Sequence, residues 1–227
     1  MEYLTSDVKS IQEIELTEEK LKAGSCAAPL ALSVLSSMNQ LGYLTSKKTK
    51  KEIENNIDTE ICIKEYCTDW MAKVDPIYNK ESVKDMLVYF FRHAMAHQLL
   101  PAWISGITRS VTQKELFNKI LVKEEEYIYV MNADILSNNM LNSLPILEKK
   151  LIKSKDTDFD FIDRFYTRLQ YLMNRYSDKY DAISNMVNKN FEIPTRISST
   201  TTSGVLSDTT ATIDFSWAER PSKNKDK

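Results

Sequence analysis

The chain has 227 residues, a formal charge of −2, four glycines and three cysteines. That length suits one domain with a real core plus an appendage, and so few glycines leave no glycine-rich loop to cradle a nucleotide. The mildly acidic balance gives no whole-molecule field to steer a nucleic acid, so any RNA contact has to come from local patches.

Cys26, Cys62 and Cys67 follow no disulfide framework, which fits a reducing compartment. The polar, acidic start has no charged-then-apolar leader pattern, so a cytoplasmic protein is expected. Cys26 to Leu44 is interrupted by Pro29, Asn39, Gln40 and serines, too polar a stretch to span a bilayer. No membrane partner is expected.

In chain order, residues 1–23 predict a short amphipathic helix around Ile11, Ile14 and Leu21. A small-residue helix follows from about Pro29 to Leu41, ended by Gly42. Thr45 to Thr59, with Lys47, Lys48, Lys50 and Lys51, reads as a solvated loop, and a basic RNA contact is the sharper reading. Ile61, Tyr66, Trp70 and Val74 recur as a core helix that Asp75-Pro76 breaks. After Asn79 a new helix carries the apolar stripe Val83, Met86, Leu87, Phe90 and Phe91, and Pro101 stops it.

Thr112 to Glu115 has the pattern of a capping box. Glu126 to Val130 is the one convincing β-type run, a short strand or hairpin near 120–130. A helix over Asp134 to Ile152 is expected to divide or kink at Pro145. Phe159, Ile162, Phe165, Leu169, Leu172, Tyr176, Tyr180, Ile183 and Val187 then predict a helix of about eight turns, with Thr157 and Asp160 as its capping box. Arg164, Arg168 and Arg175 are expected on its solvated or salt-bridged side, and the chain's many tyrosines in the core. After Pro194 the composition turns to Ser, Thr and charge, a tail expected to be disordered, in which Ile213, Phe215 and Trp217 alternate.

Both histidines, His93 and His97, lie four residues apart on one predicted helix, directly after Arg92. Spacing of four puts both imidazoles on one helical face, as zinc ligands require, but Ala94 stands where a zinc protease has its glutamate. Cys62 and Cys67 lie about 140° apart on a helix and form no finger layout. Phe161 occupies the position where a calcium loop beginning at Asp156, Asp158 and Asp160 needs glycine. Neither a metal nor a cofactor is expected.

The run Arg92-His93-Ala94-Met95-Ala96-His97 resembles the Arg-polar-x-x-x-His motif of the HEPN family, with Phe90-Phe91 before it and Gln98-Leu99-Leu100-Pro101 after it. Its place near the end of an apolar helix, followed by a long amphipathic helix, is also similar to that family. The resemblance implies an all-α, HEPN-like bundle of about five main helices over 1–194, followed by the tail 195–227. It implies a metal-independent endoribonuclease in which an RNA 2′-hydroxyl attacks the adjacent phosphate and leaves a cyclic phosphate. His97 would transfer protons, at the helix end where the dipole favours a cation. Arg92 would hold the phosphate, and His93 would be the variable polar member that orients its neighbours. Arg92 and His97 stand about 140° apart on an ideal α-helix, and acid and base roles usually need two groups where one chain offers one His97. The resemblance implies the answer of that family, a homodimer with a composite site.

Toxin–antitoxin or antiphage biology, with an antitoxin or nucleotidyltransferase partner, is what the family implies. Two other readings stand beside it: a non-catalytic HEPN-like nucleotide-binding or protein-interaction module, and a helical protein in which the motif is incidental. Deep burial of Arg92 and His97 in separate places would favour the last.

Overall fold

The computed structural model describes residues 2–14, 26–48, 58–98, 105–110, 112–123, 126–174 and 177–190. The chain divides into two units, Met1–Ser177 and Asp178–Lys227. Most described residues are helical, with a small three-stranded sheet inserted in the first unit.

Helix α1 (Glu2–Gln12) is followed by α2 (Ala27–Thr45) and α3 (Thr59–Asp69). Leu30, Ala31, Val34, Leu35 and Met38 are fully buried on α2 and pack against Ile63, Tyr66 and Cys67 of α3. Gly42 does not end α2. It lies inside the helix where α3 comes so close that a Cβ would stand 1.9 Å from the Cys62 carbonyl oxygen. The glycine supplies room for a helix crossing, not a terminus.

Asp75 accepts a hydrogen bond from the Ile77 amide and starts a 3₁₀ turn, Pro76–Asn79, at the predicted break. The next helical segment is continuous and changes its winding twice: α4 (Glu81–Asp85), a π-helix (Met86–His93) and α5 (Ala94–Gln98). The expected stop at Pro101 lies outside the described residues.

Strands β1 (Ser105–Thr108), β2 (Phe117–Lys123) and β3 (Glu126–Asn132) form a sheet in the order β1-β3-β2. β3 pairs in parallel with β1 and antiparallel with β2. The β-type run over 126–130 is therefore the central strand, and an all-α reading has to give way locally. Thr112 to Glu115 caps no helix: it forms bends leading into β2, with Ser110 Oγ accepting from the Gln113 amide.

Helix α6 (Ala133–Thr157) runs through Pro145 without a break. Its cap is Asn132, whose Oδ1 accepts from the amides of Asp134 and Ile135. The predicted eight-turn helix is α7 (Phe159–Asn174) and α8 (Ser177–Asn190), separated by residues 175–176 outside the described set. Asp158 caps α7 through Phe161, whereas Thr157 bonds back to Lys153 within α6. The stripe is also displaced at its start, with Phe159 exposed and Phe161 buried. Phe165, Leu169 and Leu172 pack on Tyr43, Leu44 and Cys62.

Arg168 is a further correction. Instead of facing solvent or a carboxylate, it is buried and donates to the carbonyls of Leu44, Ser46 and Lys48. Its planar fork fixes the start of the lysine-bearing loop to α7. Burial pulls its guanidinium below the usual range, and three carbonyl acceptors satisfy its donors. Of α8, in the second unit, Tyr180 and Ile183 are exposed. No described helix is long and apolar enough to cross a membrane.

Candidate active site on the π-helix

The candidate site grows from the packing of its helix. Leu87, Val88, Phe91 and Met95 are buried. Phe91 stacks on Phe117 of β2 and Phe90 meets Tyr129 of β3, with ring centroids 5.8 and 6.4 Å apart. The sheet thus backs the motif helix, and the polar residues between these anchors are left facing outward.

A π-helix closes i→i+5 hydrogen bonds, so its turn is wider than an α-turn, and such segments are frequent at functional sites. Tyr89, His93 and His97 follow at intervals of four, which puts them on one helical face, and they form one column across the junction of the π- and α-wound segments. The Tyr89 and His93 rings are 5.8 Å apart, and the His93 and His97 rings are 6.4 Å apart and within 6° of parallel. His97 is exposed and His93 half-buried. The expected common face for the two imidazoles is present, and the column extends one residue further back than the motif, to Tyr89.

The base of the column is held by charge. The Tyr89 hydroxyl donates to Glu60 Oε2 at 2.5 Å. Glu60 also pairs with Lys64 at 2.8 Å, and the same ammonium meets Glu81 at 3.0 Å and Asp85 at 2.6 Å. The hydrogen bond from Lys64, then that from Tyr89, holds the Glu60 carboxyl below its usual range. Donating to the Asp85 and Glu60 carboxylates pushes the Lys64 ammonium upward. Tyr89 is pushed up by donating to a carboxylate. Sequence reading missed this support because Glu60 and Tyr89 are 29 positions apart. The available signal was a tyrosine four residues before His93, on the histidine face.

Arg92 stands beside the column and differs from every other part of it. It is half-buried, and its Nε is shielded from solvent with no hydrogen-bond partner among the described residues. Burial lowers its guanidinium from the ordinary value, with no acidic neighbour among the described residues to offset the loss. Burying an unpaired cation is costly, and an anion reaching this fork would relieve that cost with charge-assisted hydrogen bonds.

The metal readings find little geometric support. The histidine rings lie nearly parallel, 6.4 Å apart, and no group of three or more His, Cys, Asp or Glu residues suited to a metal ion occurs among the described residues. Cys62 and Cys67 are buried free thiols, both pushed up to about 12 mainly by desolvation. Such thiols are poor sources of thiolate. Asp158 is occupied as a helix cap and as the partner of Lys150 at 2.8 Å.

Not all the tyrosines belong to the core. Tyr127, Tyr166 and Tyr180 are exposed, and Lys119 sits 3.7 Å over the Tyr127 ring centroid. Tyr129 faces Phe90, and Tyr171 approaches Tyr43 with centroids 6.5 Å apart. Compared with protein-family models, with curated proteins and with solved structures, the chain matches none.

Proposed function

We propose that the chain is a metal-independent, HEPN-type endoribonuclease that acts as a homodimer. The observation that carries this reading is Arg92, a half-buried guanidinium with a shielded, unpartnered Nε, next to a column ending in the exposed imidazole of His97. An RNA phosphate supplies the anion that Arg92 lacks. Attack by the 2′-hydroxyl forms a bond to phosphorus and breaks the bond to the 5′-oxygen, leaving a cyclic phosphate and a 5′-hydroxyl. One proton leaves the attacking hydroxyl and one reaches the departing oxygen. A histidine can perform either transfer, and two protomers provide two copies of His97.

His93 is a positioning residue in this scheme, held between Tyr89 and His97. Arg92 stabilises the charge that grows on the phosphorane oxygens. The Tyr89–Glu60–Lys64 network keeps the column in place.

The test is cleavage of a mixed-sequence RNA in EDTA by the wild type and by Arg92→Ala, His93→Ala and His97→Ala, each checked for folding and assembly state. Loss of His97 is expected to slow cleavage by about 10²–10⁴-fold, the usual share of positioned acid–base catalysis. Arg92→Ala should be similarly impaired and His93→Ala less so, with cyclic-phosphate ends on the products. Equal cleavage by wild type and variants, or none by wild type, would overturn the proposal.

A further inference from the structure

A second group of cations gathers in an open cleft lined by other residues. Lys47, Lys73, Lys149, Lys150, Lys153 and Arg164 line it, against only two carboxylates, Asp69 and Asp158. The cleft holds about 500 Å³, and its excess of positive charge contrasts with the chain's formal −2.

Four separate parts of the chain create this excess. Lys47 comes from the loop that Arg168 fixes through the Ser46 and Lys48 carbonyls. Lys73 comes from the 3₁₀ turn Met71–Lys73, three lysines from the last turns of α6, and Arg164 from α7. A run of solvated lysines on one helix would need no such convergence.

Two of the cations are already paired, Lys47 with Asp69 at 3.2 Å and Lys150 with Asp158 at 2.8 Å. Lys73 instead lies 4.4 Å from the Trp70 ring centroid, and Lys150 also lies 5.3 Å from that of Phe161. An aromatic face holds an ammonium without neutralising it. Lys149 and Lys153 form no ion pair among the described residues, and Arg164 forms none either, although it lies near enough to Asp158 to help lower that carboxyl. Arg164 Nε is shielded and unpartnered, as is the Nε of Arg92. A site of this kind calls for anionic oxygens at more than one point.

We propose that this cleft binds the phosphate backbone of single-stranded RNA, as a tract additional to the Arg92–His97 site. The choice of RNA over other phosphate chains rests on the ribonuclease reading. Trp70 and Phe161 are buried, so they offer no open face for stacking bases, and recognition is through phosphates and independent of sequence. Each phosphate contact by a cation contributes to the salt dependence of binding.

The test uses the full chain and a fluorescent RNA of about 12 nucleotides, 2′-O-methylated so that it cannot be cleaved, with binding followed by anisotropy across salt concentrations. Lys149 and Lys153 are exposed and stand outside the proposed catalytic machinery. Replacing both by glutamine should weaken binding about tenfold and reduce the salt slope by about 1.4, at ~0.7 per phosphate contact on a single strand. His97→Ala should bind like the wild type. Unchanged affinity and slope in the double variant would overturn the proposal, as would no binding by wild type at low salt. Displacement of the RNA by inorganic phosphate at constant ionic strength would reassign the cleft to a free phosphate and overturn the strand reading. These readouts do not involve cleavage: a chain that fails to cleave RNA but loses binding in the double variant keeps the cleft and loses the ribonuclease, and the reverse pattern does the opposite.

Discussion

Gly42 has little freedom to change. Its absent side chain lets α2 and α3 approach until the Cys62 carbonyl occupies the place of a Cβ, 1.9 Å from where that atom would stand. Gly42→Ala is expected to force the helices apart and cost about 1–3 kcal/mol, the usual range for overpacking a core. Urea denaturation measures this directly. Because the obstacle is backbone, adding Cys62→Ala should restore none of the loss, and recovery in that double variant would refute the explanation. The sequence displayed Gly42 and suggested a terminus, since glycine is common at both places. Only the neighbouring helix distinguishes them.

Among the elements, the junction of β3 and α6 shows how one side chain links sheet and helix. Asn132 is fully buried. Its Oδ1 caps α6, its Nδ2 donates to the carbonyls of Ser110 and Gln113, and its amide donates to Leu116. Asn132→Ala therefore removes a cap, worth about 1 kcal/mol, and also takes the Nδ2 donor from two part-buried carbonyls, a loss of about 0.5–1.5 kcal/mol for a typical hydrogen bond. Asn132→Asp keeps the cap oxygen but turns the second atom into an acceptor facing those carbonyls. Both variants should have lower melting temperatures. If aspartate matched asparagine, the Nδ2 bonds would carry no weight. The same scale explains why β1 escaped sequence reading and why β2 was anticipated only as the second arm of a hairpin near 120–130. Their formation depends on β3 lying between them, while Glu126 to Val130 advertised itself by its own composition.

On the scale of the whole molecule, charge ties distant segments together. Lys64 on α3 gathers Glu60 from its own helix with Glu81 and Asp85 from α4. Glu60 is depressed first by Lys64 and then by Tyr89, and Glu81 first by Lys84 and then by Lys64. Their folded values thus lie below the unfolded glutamate value of about 4.3. In that window the unfolded chain binds more protons, so their contribution to stability is complete above the unfolded value and is lost as pH falls through the folded ones. Melting temperature should drop as pH falls below about 4.3, and Lys64→Met should drop less steeply there. Equal slopes would mean that the network adds nothing to acid sensitivity. A buried arginine, Arg109, plays a comparable linking role through Asp134 at 2.9 Å and the carbonyls of Ile11 and Gln12.

The sequence by itself determined the largely helical character, the break at Asp75-Pro76, the central strand and the shared face of His93 and His97. Those features depend on neighbours a few residues away, through side-chain period, proline geometry and β-branched or aromatic content. Tertiary structure decided the π-winding, the Glu60 carboxylate that anchors Tyr89, the burial of Arg168 and Arg109, the shielding of Arg92 Nε and the convergence of cations in the cleft. Each of those depends on atoms brought close from far along the chain, where desolvation and the carbonyls or charges within reach govern what a polar side chain can do.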